Sequence, residues 1–222
     1  MYQRWKRLLP SWIHVHPVEL PGRGIRFGES CVESYPALIS QLMREQRESM
    51  CGRYVLLGHS MGALLAYGMA QACRATGQPF PMAVFASGSP APSKRDKVEF
   101  VAKDDDDGLI SEMRKQGGTP EEIFQNEEML RITLNTLGAD YRVCESFSYL
   151  PNMPLSIPLH VFAGREDEVS EDQIKGWSVE TSDQFSVDWF DGGHFFIKFN
   201  ERAVLDALCV RLRTSNRTPV IA

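Results

Sequence analysis

Gly58-His59-Ser60-Met61-Gly62 constrains this chain more than any other stretch. It interrupts two apolar runs of different periodicity. Arg53-Tyr54-Val55-Leu56-Leu57 before it reads as a buried strand, and Ala63-Leu64-Leu65-Ala66-Tyr67-Gly68-Met69-Ala70 after it reads as a helix. A chain that passes from strand to helix over so few residues must turn sharply, and glycines flank the serine because bulky neighbours would not fit. The turn holds the serine in a strained backbone conformation with its hydroxyl exposed above the sheet. The N–H of Met61 then faces the same space and can act as an oxyanion donor. His59 is adjacent to Ser60 and is expected to point away from it. A bare G-x-S-x-G also occurs in ordinary turns, so the strand before it and the helix after it carry the specificity of the signal.

The rest of the chain repeats the strand–helix alternation. Residues 14–20 read as a strand complicated by Pro17, and Pro21-Gly22-Arg23-Gly24 reads as a turn. Residues 35–48 carry Leu38, Ile39, Leu42 and Met43 at helical spacing. A helix over 61–75 has Gly77 as its stop. Further strands are expected at 82–87, 158–163 and 185–190, then a helix at 203–212 and a frayed tail from Thr214 to Ala222. This order implies the α/β class, with a mostly parallel sheet covered by helices on both faces. Together with the serine turn it points to the α/β-hydrolase fold. Between Pro90 and Pro158 the pattern is helical only, at 108–115, 129–137 and 141–147. Thr119-Pro120-Glu121-Glu122 reads there as a helix start with Thr119 as N-cap and Glu122 completing a capping box. The expectation is a single domain over 1–222 carrying a helical lid insertion at 90–157.

Composition narrows the function classes. The formal net charge of −5 argues against nucleic acid or an anionic membrane as main partner. No apolar run approaches the ~20 residues of a membrane span. The start is the back half of an amphipathic helix, with Trp5, Leu8 and Leu9 on one face and Pro10 as its stop, and not a signal peptide. Cys31, Cys51, Cys73, Cys144 and Cys209 are scattered without C-x-x-C spacing, which reads as reduced thiols in a cytoplasmic protein. No spacing suggests a metal. Asp104-Asp105-Asp106-Asp107 lacks the glycine and closing glutamate of a calcium loop and reads as a solvated, mobile turn. Arg23 and Arg26 read as a solvated basic turn, with phosphate contact as the alternative.

A serine hydroxyl is a poor nucleophile near neutral pH and needs a base. This fold orders its triad Ser…Asp/Glu…His along the chain. After Ser60 the histidines are His160 and His194. His160 lies inside an apolar strand and reads as a core histidine. His194 follows the strand at 185–190 and the pair Gly192-Gly193, on the face where the serine turn opens, and is the expected base. The acid belongs on the loop after the strand at 158–163. Asp167 is the first choice there, with Glu166 and Glu168 as rivals, and Asp191 capping the histidine loop. Its work is to fix the imidazole tautomer and stabilise the imidazolium.

Several segments together resemble the type II (external, editing) thioesterases of non-ribosomal peptide and polyketide synthesis. They are Glu19-Leu20-Pro21-Gly22-Arg23-Gly24, Gly58-His59-Ser60-Met61-Gly62-Ala63, Gly117-Gly118-Thr119-Pro120, the stretch from Gly164 to Asp167, and Gly192-Gly193-His194-Phe195-Phe196. The resemblance extends from about Trp5 to Leu212. It implies Ser60, Asp167 and His194 as catalytic residues. It implies hydrolysis of acyl, aminoacyl or peptidyl thioesters on a carrier-protein phosphopantetheine arm, which belongs to the substrate, so no cofactor is expected. Acyl and peptidyl carrier domains are the implied partners, and the protein is expected to be a monomer. Members of this family begin with a first strand and a Pro-x-x-Gly-Gly loop that supplies a second oxyanion N–H. The present sequence starts beyond both, so the first strand is expected to be missing. A late-assigned start, a shortened chain and a degenerate protein are the competing explanations. The other functional readings are a small carboxylesterase or lipase, and a carrier-binding remnant without the oxyanion loop.

Overall fold

The structure, a computed structural model, describes residues 2–95 and 105–215. Its centre is a sheet of four strands, β1 (Leu56–His59), β2 (Val84–Ser87), β3 (Leu159–Gly164) and β4 (Phe185–Phe190), in that spatial order and all parallel. Parallel neighbours require crossovers, and helices supply them. In chain order the helices are α1 (Tyr2–Leu8), α2 (Tyr35–Glu45), α3 (Met61–Thr76), α4 (Asp106–Gln116), α5 (Glu121–Gln125), α6 (Glu127–Glu145), α7 (Glu171–Lys175), α8 (Phe196–Phe199) and α9 (Glu201–Ser215), of which α3 to α7 lie in the crossovers.

The mostly apolar character of β2 and β3 follows from burial on both faces. Val84, Ala86, Leu159 and Val161 point into a core with Ala63, Ala66 and Tyr67 of α3 and with Trp177. The alternate residues Phe85 and Phe162 point the other way, toward Trp5, Phe196, Leu205 and Leu208. Trp5 is 2% exposed, and its indole N–H donates to Glu201 at 3.1 Å, which ties α1 to α9. The α/β-hydrolase arrangement expected from the alternation is therefore present.

Between β2 and β3, helices α4 to α6 build a small core of their own around Leu109, Met113 and Leu134. They dock on the body through a two-pronged pair in which Arg23 donates to both carboxylate oxygens of Asp140, at 2.8 and 2.6 Å. Arg142 pairs with Glu33, and the Tyr35 N–H donates to Ser146 Oγ. Arg26 is held by Glu29 and Glu45. The two arginines of the turn thus bind carboxylates of the same chain, and neither the solvated-turn nor the phosphate reading describes them.

Other expectations need correction. Residues 14–20 form no strand. A cavity lies between this segment and β1, so its backbone has no ladder to join, and Pro17 offers no N–H. The first strand of the sheet begins at Leu56, where its register with Val84 starts, and runs on through His59 to the serine. Thr119 is not an N-cap. Pro120 takes that position with ψ 144 and makes no side-chain cap bond. The helices expected at 129–137 and 141–147 are one continuous α6, capped by the Asn126 side chain. Of the aspartate run, Asp105 is the N-cap of α4, accepting from the Gly108 N–H at 2.7 Å, while Asp104 lies outside the described residues. The closing helix continues to Ser215, and 216–222 lie outside the described residues.

Of the glycines flanking the serine, only the first is needed for space. A Cβ on Gly58 would lie 1.9 Å from the Gly62 carbonyl oxygen, whereas Gly62 has nothing within 4 Å. Gly58→Ala is therefore expected to destabilise the protein by about 3 kcal/mol or more, because backbone and not a flexible side chain would have to yield. Gly62→Ala should keep or slightly raise stability. Urea midpoints of the two variants check the contrast.

Candidate active site

Ser60 stands between the end of β1 and the first turn of α3. Its backbone, φ 54 and ψ −121, is the one non-glycine positive φ among the described residues. Such a conformation costs about 1–3 kcal/mol and persists only where the surroundings over-determine it. Here the Ser60 N–H donates to the Ser87 carbonyl at 2.7 Å, and α3 leaves directly from the turn. Met61 is the first residue of α3, so its N–H lies in the first turn, where amides have no intrahelical acceptor and the helix dipole is positive. The strained backbone expected at the serine turn is present.

His194 and Asp167 come from neighbouring strand ends. β3 and β4 are paired through Gly164↔Phe190, and the chain leaves both at the same rim. The loops then interlock, with Arg165 N–H donating to Phe190 O at 2.8 Å and Glu166 N–H to Gly192 O at 3.1 Å. Gly164 permits this approach, since a Cβ there would meet the Gly192 and Gly193 carbonyl oxygens at 2.6 and 2.8 Å. The result places His194 Nδ1 3.1 Å from Asp167 Oδ2 and 3.3 Å from Oδ1. Their side chains are 12% and 5% exposed. Burial pushes the Asp167 carboxyl up, but the hydrogen bond and charge of His194 and the N–H groups of Glu168 and Val169 outweigh it. The acid is held below the usual carboxylate range.

The rival acids lie elsewhere. Glu166 and Glu168 are exposed, Glu168 pairs with Lys115 at 2.5 Å, and Asp191 pairs with Arg165 at 3.3 Å in open solvent. His160 is a core histidine, 2% exposed, with Nδ1 2.7 Å from Ser186 Oγ. Ser60, Met61, His194 and Asp167 line one cavity of about 1510 Å³, which also reaches Glu112 of α4 and Tyr141 of α6. The arrangement brings a strained serine at a helix N-terminus and an acid-oriented imidazole to one concave space, which suits acyl transfer through a covalent serine intermediate.

Sequence reasoning missed what supports the imidazole. His59 is bonded to Ser87 Oγ at 2.9 Å, and its ring lies 4.9 Å from that of His194. Burial, with a smaller push from His194, lowers its pKa to about 3, so it is a neutral prop for the base. Phe195 packs edge-on against His194 at 5.3 Å. Alternation along β1 puts His59 and Ser60 on opposite sides of the strand, but only the return of the loop after β4 shows what His59 meets. Among the described residues no cluster of His, Cys, Asp and Glu could hold a metal ion, and no helix is long and apolar enough to cross a membrane. The five cysteines form no disulfide.

Known proteins resemble this chain over nearly its whole length. The thioesterase-domain family model matches residues 1–214. The gramicidin S biosynthesis protein GrsT of Aneurinibacillus migulanus is 30% identical over 213 residues, 96% of this chain and 83% of that protein. The thioesterase PikA5 of Streptomyces venezuelae is 31% identical over 194 residues, 86% and 68% of the two chains. Among solved structures, the RedJ thioesterase of the prodiginine pathway of Streptomyces coelicolor superposes with a TM-score of 0.85 at 30% identity, covering 96% of this chain and 84% of that one.

The neutral His59 makes stability depend on pH. Its folded pKa of about 3 lies below the unfolded value of ~6.5, so between these limits the unfolded chain binds more protons. Stability is full above pH ~6.5 and falls by a few kcal/mol as pH drops toward about 3. His160, lowered to about 4 chiefly by burial, acts in the same window. Urea unfolding across pH 7 to 4 should show this slope, and His59→Gln should flatten it.

Proposed function

The chain belongs to the thioesterase family, and on that footing we propose that Ser60, His194 and Asp167 are its catalytic triad, with the Met61 N–H as oxyanion donor. The reaction is thioester hydrolysis. The observation that carries the triad is the pairing of His194 Nδ1 with Asp167 at 3.1 Å in the same cavity that the positive-φ Ser60 lines. The Asp167 carboxylate accepts a hydrogen bond from His194 Nδ1–H, which keeps that proton on Nδ1 and leaves Nε2 as the basic nitrogen. Nε2 takes the Ser60 proton as Oγ attacks the thioester carbonyl, and the developing oxyanion meets the Met61 N–H at the positive end of α3. The tetrahedral intermediate expels the thiolate, which takes the proton from His194, and an acyl-serine remains. Water, deprotonated by the same imidazole, adds to the acyl-serine. Collapse returns the proton to Ser60 and releases the acid.

The substrate class we propose is an acyl, aminoacyl or peptidyl group on a carrier-protein phosphopantetheine thiol, in non-ribosomal peptide or polyketide synthesis. Relatives named for such pathways support it. Carrier domains are then the partners and the cytoplasm is the compartment. The triad supplies nucleophile, base and acid from the chain itself, so the proposed reaction uses no cofactor. Residues of α4 and α6 line part of the cavity, which supports our proposal of the segment 90–157 as a lid over a single catalytic domain.

Ser60→Ala is expected to lower kcat on an acyl-carrier thioester by about 10⁴-fold or more, and Asp167→Asn by about 10⁴-fold with KM less affected. A fluorophosphonate should label Ser60 in the parent protein only. Thioester turnover should exceed that of the matching oxygen ester. Equal hydrolysis by the parent and Ser60→Ala would overturn the assignment.

A further inference from the structure

The corner at the end of α4 touches the sequence neighbours of both members of the His194–Asp167 pair, Phe195 and Glu168. Gly117 ends the helix in the left-handed conformation, φ 70, with its N–H returned to the Met113 carbonyl. Gly118 then lies against the ring of Phe195. A Cβ on it would be 2.1 Å from Cε2 and 2.2 Å from Cδ2. That ring is the neighbour of His194, at 5.3 Å and 79°, and of His59 at 6.1 Å. Lys198, one turn further on, aims Nζ at the Gly118 carbonyl at 3.5 Å. On the other side Lys115, in the last turn of α4, pairs with Glu168 at 2.5 Å. Glu168 follows Asp167 directly, and its N–H is one of the groups holding the Asp167 carboxylate.

We propose that this corner is a positioning element for the base: Gly118 seats Phe195 against His194 while Lys115 steadies the loop that carries Asp167. The inference rests on the triad reading above. His194 is otherwise located by one acid whose two oxygens are at 3.1 and 3.3 Å and by the ring of His59. A forked contact of that kind fixes the nitrogen better than it fixes the ring plane. Phe195 supplies the remaining restraint, and its place is set by a residue without a side chain on a different part of the chain. Imidazole alignment therefore depends on the insertion being seated. Lifting α4 would remove the Gly118 and Lys115 contacts together and release the base and the acid loop at once.

Misplacement by a fraction of an ångström to one ångström costs about ten- to a hundred-fold in turnover. Steady-state kinetics on an acyl-carrier thioester should show Gly118→Ala lowering kcat by about that factor with KM changed less than about two-fold. Phe195→Ala should lower kcat similarly. In the Phe195→Ala background Gly118→Ala should have no further effect, since the methyl group acts only through that ring. Arg114→Ala, on an exposed pair of the same helix, should leave kcat unchanged. A Gly118→Ala loss of equal size in both backgrounds, or no loss in the parent, overturns the proposal. If Gly118→Ala does not fold, Lys115→Ala decides: a kcat loss at unchanged KM supports the role, and an unchanged kcat overturns it. A parent protein as inactive as Ser60→Ala would instead refute the triad reading.

Discussion

The approach of two loops at the rim of β3 and β4 is the constraint on which the site depends. Gly164 lets the carbonyls of Gly192 and Gly193 come within the space a side chain would fill. Two backbone hydrogen bonds, Arg165 to Phe190 and Glu166 to Gly192, then lock the loops together. Asp167 and His194 are 27 residues apart along the chain and could not be held together by local structure. Strand pairing brings their loops to one edge, and backbone hydrogen bonding sets their distance. Packing does the rest, since Phe190 and Phe196 stack at 5.4 Å beneath the loop and anchor it in the lower core.

Strain at Ser60 is the complementary feature. A positive φ in a residue with a side chain is unfavourable, and it is maintained by the register of β1 on β2 and by the immediate start of α3. Apolar burial provides the free energy for this. The face of α3 from Ala63 to Ala70 is almost wholly buried between the sheet and its covering helices. The conformation that exposes the hydroxyl is thus stabilised by burial along the whole following helix.

The sequence was most legible where chemistry and periodicity coincide. The serine turn, the strands ending at Gly164 and Phe190, and the histidine after paired glycines each have a local signature, and the structure has them at or near the expected bounds. Legibility ended where the deciding partner is distant. The strand expected at 14–20 has the right residue types, but a strand exists only with a neighbour to pair with, and here a cavity intervenes. Arg23 looked like a solvated charge because its partner Asp140 lies 117 residues away on α6. The prop formed by His59 and Phe195 was invisible for the same reason. Thr119 failed as a cap because the helix starts one turn-forming residue later, after Pro120, a shift too small for residue preferences to detect.

Gly62 has a consequence of a different kind. Glycine inside a helix is less stable than alanine by roughly 0.5–1 kcal/mol, and at this position nothing nearby requires its bareness. It faces the cavity one residue beyond Met61. A side chain at this single helical position would project into open space and meet neither the turn nor the sheet, so its volume can change without disturbing the strained serine.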